Sequence, residues 1–283
     1  GIKSADKYTA IVNEEVILTS ITEYSKVNNI LPKYIIITVS AENLARLTIE
    51  AIKLGIKNIL VEKPLGITTN EVHEVSKLAK ENNVNLFIGF NRRFFSSTKK
   101  ALELIEKDGG VKSIHFEFTE WPNVFTDPKN SKIAKEKWLL CNSSHVIDLA
   151  FFLAGKPKEI CSFISGGTKY HPSGSIFSGA GITESDALFS YHANWESSGR
   201  WNIEVMTNQR RFIFAPMEEL KVQEISSVKQ MPVHIDNTLD KEFKPGLFLQ
   251  TKAFLNDDIN ELYTIEMLYD SIGLFNKIAG YHD

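Results

Sequence analysis

After Gly1, no glycine appears before Gly55. This excludes from the opening of the chain the G-x-G-x-x-G turn, the usual pyrophosphate cradle of a dinucleotide-binding domain. Cysteine is scarce, with only Cys141 and Cys161 in 283 residues, so no disulfide framework exists and a reducing cytoplasm is expected. No apolar run approaches membrane-spanning length, and GIKSADKYTA at the N-terminus has no signal-peptide core. Neither charge sign dominates: 32 Lys and Arg stand against 35 Asp and Glu, for a net −3. Bulk attraction to nucleic acid or to an anionic membrane is thereby disfavoured. Internal repeats and low-complexity tracts are lacking too.

What is present is the composition of a globular protein, 43% hydrophobic and 24% charged, at a length that suits two domains. The first part alternates strand and helix. Tyr34 to Val39 (YIIITV) reads as a parallel strand buried on both faces. A helix follows, with Leu44, Leu47, Ala51 and Leu54 on one face, ended by Gly55. Asn58 to Val61 is the next strand, then a helix from about Asn70 to Asn82, then a strand from Asn85 to Gly89. With a strand at Glu15 to Thr19, this predicts a doubly wound parallel sheet of Rossmann type, its first βαβ unit incomplete. A helix over Ser96–Lys107 leads into a different pattern. Strands at Glu159–Ile164, Asp186–His192, Arg200–Met206 and Arg211–Ala215 follow one another without helices, which predicts an α+β domain on a large, mostly antiparallel sheet. Two helices, about Gly246–Leu255 and Thr264–Lys277, close the chain. The boundary is placed near Phe94, giving a nucleotide-binding domain over 1–94 and a substrate-binding and oligomerisation domain over 95–283.

Chemistry concentrates in two places. Glu62, Lys63 and Pro64 end the Asn58 strand, and ligands of open α/β sheets bind beyond the carboxyl ends of strands. The lysine is either a ligand-facing cation or half of a solvated Glu–Lys pair. The second place is WLLCNSSHVIDLAFFLAG, Trp138 to Gly155. Ser143 or Ser144 suits an N-cap, Val146, Leu149, Ala150 and Leu153 form an apolar stripe, and His145 and Asp148 share a face. Elsewhere, Arg92 and Arg93 read either as a clamp for a phosphorylated or nucleotide-linked substrate or as one buried and one solvated arginine. Trp121 and Trp138 flank a polar loop able to cover a sugar, with Trp138 assigned to the core. Tyr170, His171 and the run to Gly181 read as a solvated loop, His192 as structural, and Cys161 as a small buried hydrophobe.

Taken together, YIIITVS, VEKPLG, FIGFNRRF and SSHVIDLAFFLAG, in that order, resemble the glucose–fructose oxidoreductase/inositol dehydrogenase (Gfo/Idh/MocA) family. The resemblance covers roughly Glu15 to Gly155, and GLFLQTKAFLND resembles a late family helix. It implies NAD or NADP as cofactor and hydride transfer at a hydroxyl carbon of a sugar or cyclitol. It implies cofactor contacts from Ser40, Glu62, Lys63, Pro64, Asn91 and Arg92, with Pro64 cis. It implies substrate contacts from Lys63, Arg92, Trp121, Cys141, Asn142 and His145. Lys63 and His145 would be catalytic, Asp148 would hold the helix, and no metal is implied. The chemistry agrees: a histidine near its natural pKa can take a hydroxyl proton, and a lysine can stabilise the alkoxide.

The sequence departs from the family at two points. Cys141 stands where many members carry an aspartate, four residues before the histidine, and the glycine turn is missing. These departures predict weak NAD(P) binding by this chain and keep open a second reading, a catalytically silent sugar-binding or scaffold protein. Phe189, Trp201 and Ile203 suggest apolar side chains on both faces of the C-terminal sheet, from which a homodimer or homotetramer is expected.

Overall fold

The computed structural model describes residues 9–12, 15–18, 20–28 and 31–282. It divides into two compact units, Gly1–Gly89 with Tyr263–Ile272, and Phe90–Leu262 with Gly273–Asp283. Among the described residues no helix is long and apolar enough to cross a membrane.

The first unit opens with a two-stranded antiparallel hairpin, β1 (Thr9–Val12) and β2 (Glu15–Leu18), and helix α1 (Ile21–Asn28). Thr19 lies outside the described residues. Strands β3 (Tyr34–Ile37), β4 (Asn58–Val61) and β5 (Asn85–Ile88) then pair in parallel, joined by α2 (Ala41–Lys53) and α3 (Thr69–Glu81). The expected apolar stripes account for both helices: Leu44, Leu47 and Ala51 are buried in α2, and Val72, Val75 and Ala79 in α3. Helix α3 starts at a capping box in which Thr68 Oγ1 accepts from the Glu71 amide and Glu71 accepts from the Thr68 amide. Gly55, at φ +95°, follows the end of α2 as expected. One expectation fails here. β3 is not buried on both faces, because it is the edge strand of its sheet and Ile36 is 44% exposed.

In the second unit, α4 (Ser96–Lys107) precedes β6 (Ser113–Glu117), the short helices α5 (Asn123–Thr126) and α6 (Lys132–Glu136), a π-helical turn (Leu139–Ser143) and α7 (Ser144–Ala154). Strands β7 (Pro157–Ser165), β8 (Ile176–Thr183), β9 (Leu188–Asn194), β10 (Asn202–Met206), β11 (Arg210–Phe214), β12 (Lys221–Glu224) and β13 (Gln230–Pro232) follow, then α8 (Thr238–Glu242) and α9 (Leu247–Leu255). The sheet runs β13-β12-β11-β10-β6-β9-β8-β7, antiparallel throughout except at β6–β9. The chain ends with β14 (Tyr263–Thr264), which adds antiparallel to β5 in the first unit, and α10 (Ile265–Ala279). The sequence does not announce that return to the first sheet.

Alternation along β6, β9 and β10 turns Ile114, Phe116, Phe189, Tyr191, Ile203 and Val205 inward, where they are buried. Phe151 of α7 packs edge-on to Phe116 and Phe189 at 5.7 and 5.1 Å. This corrects the two-faced apolar sheet: Phe189, Trp201 and Ile203 are all buried. The outward face instead carries Ser178, Ser190 and His192, with Phe163 and Leu188 as its large exposed apolar groups. Cys161 is exposed there too, not buried, because its strand position falls on the outward side.

The run expected to be a solvated loop contains β8, a strand paired on both edges. Its glycines are steric necessities. A Cβ on Gly179 would collide with the Tyr191 ring, and one on Gly181 with Phe189 and the Glu159 carbonyl. His171 is likewise fully buried. Its Nδ1 donates to the Gly174 carbonyl at 2.7 Å, and the Tyr281 hydroxyl donates to its Nε2 at 2.7 Å while accepting from the Leu139 amide at 3.3 Å. Burial pushes the imidazole down to about 4. An unfolded histidine titrates near 6.5, so protons favour the unfolded chain between these values. Stability from this residue is complete above about pH 6.5 and is lost as pH falls towards 4, by roughly 3 kcal/mol at 1.36 kcal/mol per unit. Urea midpoints measured across this window should fall with pH in the wild type. His171→Gln should be less stable near neutrality but flatter in pH; an unchanged slope would contradict the assignment.

Candidate active-site residues in the two units

In the first unit the carboxyl ends of β3, β4 and β5 lie along one edge of a parallel sheet. The Glu62 amide donates to the Ile37 carbonyl at 2.9 Å and the Gly89 amide to the Val61 carbonyl at 2.7 Å, so the three strand ends are tied together. Beyond β4 the Lys63–Pro64 peptide is cis, and Leu65, fully buried, has φ +68°. A Cβ on Gly89 would stand 3.3 Å from Glu62 Cα, so glycine keeps the backbone beside Glu62 open. Ser40 is the N-cap of α2 but makes no cap bond; its hydroxyl accepts from Asn43 Nδ2 at 2.9 Å. The other helix N-termini of this unit are occupied by their own side chains, α10 by Thr264, whose hydroxyl accepts from the Met267 amide at 3.3 Å. Thr68 with Glu71 caps α3, and Ser20 with Glu23 caps α1.

This donor set fits one end of a nicotinamide nucleotide. A hydroxyl (Ser40), a carboxylate (Glu62), an ammonium (Lys63) and the uncapped N-terminus of α2 suit ribose hydroxyls and a nearby negative charge. Among the described residues of the first unit no helix begins at a glycine turn, so the usual pyrophosphate cradle is not seen there.

In the second unit, Asn91, Arg92 and Arg93 lie in a 3₁₀ turn, Asn91–Phe94. Asn91 Nδ2 donates to the Pro245 carbonyl at 2.8 Å, so that amide serves to hold the turn. Gly246 makes this approach possible, since it has φ +73° and a Cβ there would strike the Asn91 carbonyl. The two arginines separate as one buried and one half-buried. Arg93 forks onto Asp148, Nε to Oδ2 at 3.0 Å and Nη2 to Oδ1 at 2.6 Å, with both residues buried and the guanidinium 4.5 Å from the Phe152 ring centre. Burial pushes the Asp148 carboxyl up, and the Arg93 guanidinium is the strongest force opposing it. The bidentate geometry is that of a carboxylate. Asp148 thus holds α7, as expected, and does not pair with His145.

His145 sits in the first turn of α7, 7% exposed, with the Phe90 ring edge-on at 5.7 Å. Neither serine caps this helix as expected, because the π-helical turn feeds straight into it and Ser143 already has helical dihedrals. The Ser144 hydroxyl donates back to the Leu140 carbonyl at 2.7 Å, and the Ser143 hydroxyl donates to Glu120 at 2.7 Å. Half-buried Cys141 lies on the same turn.

Glu120 is the residue that sequence reading missed. It is fully buried and accepts from Asn142 Nδ2 at 2.9 Å, Ser143 Oγ at 2.7 Å, Trp201 Nε1 at 3.2 Å and Arg200 Nη1 at 3.3 Å. Burial raises its pKa, opposed first by the Ser143 hydroxyl and then by the Arg200 charge. Its partners come from two separate segments, Asn142–Ser143 and Arg200–Trp201, and the only sequence signal was a carboxylate beside Trp121. Trp121 is 51% exposed and bonds the Gly199 carbonyl through Nε1 at 3.0 Å. Trp138 is buried, as expected.

Residues 4–90 match the model of an oxidoreductase family, GFO_IDH_MocA, described as an NAD-binding Rossmann fold. No curated protein sequence matches the chain. Among solved structures, an inositol dehydrogenase homolog from Azotobacter vinelandii, complexed with NADH and myo-inositol, is 12% identical with TM-score 0.70, over 92% of this chain and 79% of that one. A levoglucosan dehydrogenase, complexed with NADH and levoglucosan, is 17% identical with TM-score 0.68, over 87% and 76%. A UDP-N-acetylglucosamine 3-dehydrogenase from Acidithiobacillus ferrooxidans is 12% identical with TM-score 0.66, over 87% and 77%. At these identities the likeness is one of fold. Residues 4–90 thus match the NAD-binding Rossmann-fold model of an oxidoreductase family, and the chain shares its fold with solved structures of a levoglucosan dehydrogenase and an inositol dehydrogenase homolog.

Proposed function

We propose that this protein moves a hydride between NAD or NADP and a hydroxyl-bearing carbon of a sugar, sugar derivative or cyclitol. The observation that carries this reading is the Glu62-Lys63-Pro64 turn at the carboxyl edge of a parallel sheet that matches an NAD-binding family. The nicotinamide supplies the hydride chemistry when bound. The chain's own groups handle charge and protons. Lys63 Nζ stabilises negative charge developing on the substrate oxygen, and the His145 imidazole exchanges the hydroxyl proton. Ser40 and Glu62 orient the cofactor ribose, and Pro64 fixes the turn. Asn91 and Arg92 border the cofactor and substrate, with Trp121, Cys141 and Asn142 lining the substrate side.

Half-buried Cys141 favours a second reading. A neutral thiol cannot act as the carboxylate partner of His145, so a silent sugar-binding or scaffold protein is the alternative. Reduction of keto-sugars followed by loss of NADH or NADPH absorbance, at millimolar cofactor, separates the two. We also propose a cytoplasmic homodimer or homotetramer, assembled through the outward face of the large sheet around Phe163 and Leu188.

A further inference from the structure

We propose that Glu120 and Arg200 set the substrate class of the site, selecting neutral polyhydroxylated rings over sugar phosphates and sugar acids. The inference rests on the sugar-oxidoreductase reading and narrows its substrate class. Arg200 reads ligand oxygens, and Glu120 offsets its charge from inside the fold. The pair therefore offers hydrogen-bond donors without a net charge.

The Arg200 guanidinium stacks on two indoles, 4.5 Å from the Trp201 ring centre and 4.7 Å from that of Trp121. Trp121 is itself anchored, since its Nε1 donates to the Gly199 carbonyl at 3.0 Å. Nη1 of Arg200 donates to Glu120 at 3.3 Å. Among the described residues that is the guanidinium's only acceptor, so the other N–H groups of the planar fork are left for a ligand. The Arg200 side chain is 44% exposed and Trp121 is 51% exposed, so a ligand can reach both. A fork whose plane is fixed by stacking suits two adjacent hydroxyls of a pyranose or cyclitol.

A lone guanidinium would favour phosphate or carboxylate. Here one carboxylate stands against one guanidinium. Glu120 is fully buried and accepts from Asn142, Ser143, Trp201 and Arg200, four donors that an ionised carboxylate can accept in full. An anion on the exposed edge of Arg200 would feel the Glu120 charge at short range, which cancels much of the attraction. A hydroxyl gains the same hydrogen bonds without that repulsion.

The same carboxylate ties the fork to the region of His145. Asn142 and Ser143 end the π-helical turn, and His145 follows in the first turn of α7. One buried side chain thus fixes both the group that reads the ring and the turn that leads to the imidazole.

Calorimetry on the intact chain tests this without requiring turnover. Glucose and myo-inositol are the neutral probes, glucuronate and glucose 6-phosphate the anionic ones. The wild type should bind the neutral probes at least as tightly as the anionic ones. Glu120→Gln keeps the size and an acceptor oxygen but leaves the guanidinium unmatched. Preference should then swing towards the anionic probes by about tenfold or more, and the swing should shrink as salt rises. Arg200→Gln, at a half-exposed position, leaves the carboxylate unmatched. It should move the preference the opposite way while weakening the neutral probes too. Circular dichroism checks both folds, and if Glu120→Gln does not fold, Arg200→Gln decides alone. Anionic probes favoured by the wild type would overturn the inference, as would variants that weaken every probe equally, the result of a merely structural pair. A wild type that binds none of the four would overturn it together with the sugar reading. Sugars that bind with the expected preferences yet accept no hydride would contradict the oxidoreductase reading alone.

Discussion

Lys63→Ala is expected to lower kcat about 100-fold or more while leaving the chain folded, the scale seen when a preorganised group facing developing charge is removed. Lys63 follows the last residues of β4, where the backbone leaves the sheet at the cis Lys63–Pro64 peptide. The sheet itself is carried by Ile59, Leu60 and Val61, all buried, so truncating half-buried Lys63 removes a charge and leaves those core side chains in place. The loss should fall mainly on kcat, because the positive charge matters most when the substrate oxygen becomes an alkoxide. Lys63→Arg keeps the charge but broadens it and should recover only part of the rate. Steady-state kinetics with circular dichroism checks this. Unchanged kcat in Lys63→Ala would remove the residue from the mechanism.

Breaking the Arg93–Asp148 pair should produce the largest loss of stability. Both partners are buried and the contact is bidentate, so Arg93→Ala strips the buried Asp148 carboxylate of its forked partner, and Asp148→Ala strips the buried guanidinium of that carboxylate. Removing one member of such a pair typically costs about 3–5 kcal/mol. Replacing both together, Arg93→Met with Asp148→Leu, should cost less than either alanine variant, since no charge is left stranded. Urea denaturation of the three variants measures this. Single variants within about 1 kcal/mol of wild type would show that the pair does not hold the helix.

How much of this was legible in the sequence follows from where each side chain finds its partner. Helices α2 and α3 were readable because their apolar spacing acts within a few turns of one helix, whereas the Thr68–Glu71 cap of α3 emerges only in the structure. The Glu62-Lys63-Pro64 turn was readable because a strand ends there in an abrupt change of residue type. By contrast, β8 was hidden. Its glycines and serines resemble a loop, and their reason lies in Tyr191 and Phe189 on the neighbouring strand. His145 and Asp148 suggested a joint face, but the partner of Asp148 is Arg93, 55 positions away. Glu120 was invisible for the same reason, as its four partners are drawn together only by the fold. Cys161 and Phe189 were misjudged because period-two patterns give two faces without saying which is covered.

The most direct test of the oxidoreductase claim is transfer of label. NADH deuterated at nicotinamide C4, at millimolar concentration, is incubated with the chain and a panel of keto-sugars, neutral and anionic, and the products are analysed by mass spectrometry. The account predicts deuterium at a single carbinol carbon of at least one product, and its loss in both Lys63→Ala and His145→Ala. Sugars that bind the wild-type chain in the presence of NADH, yet never acquire deuterium, would contradict it and leave the sugar-binding reading in its place.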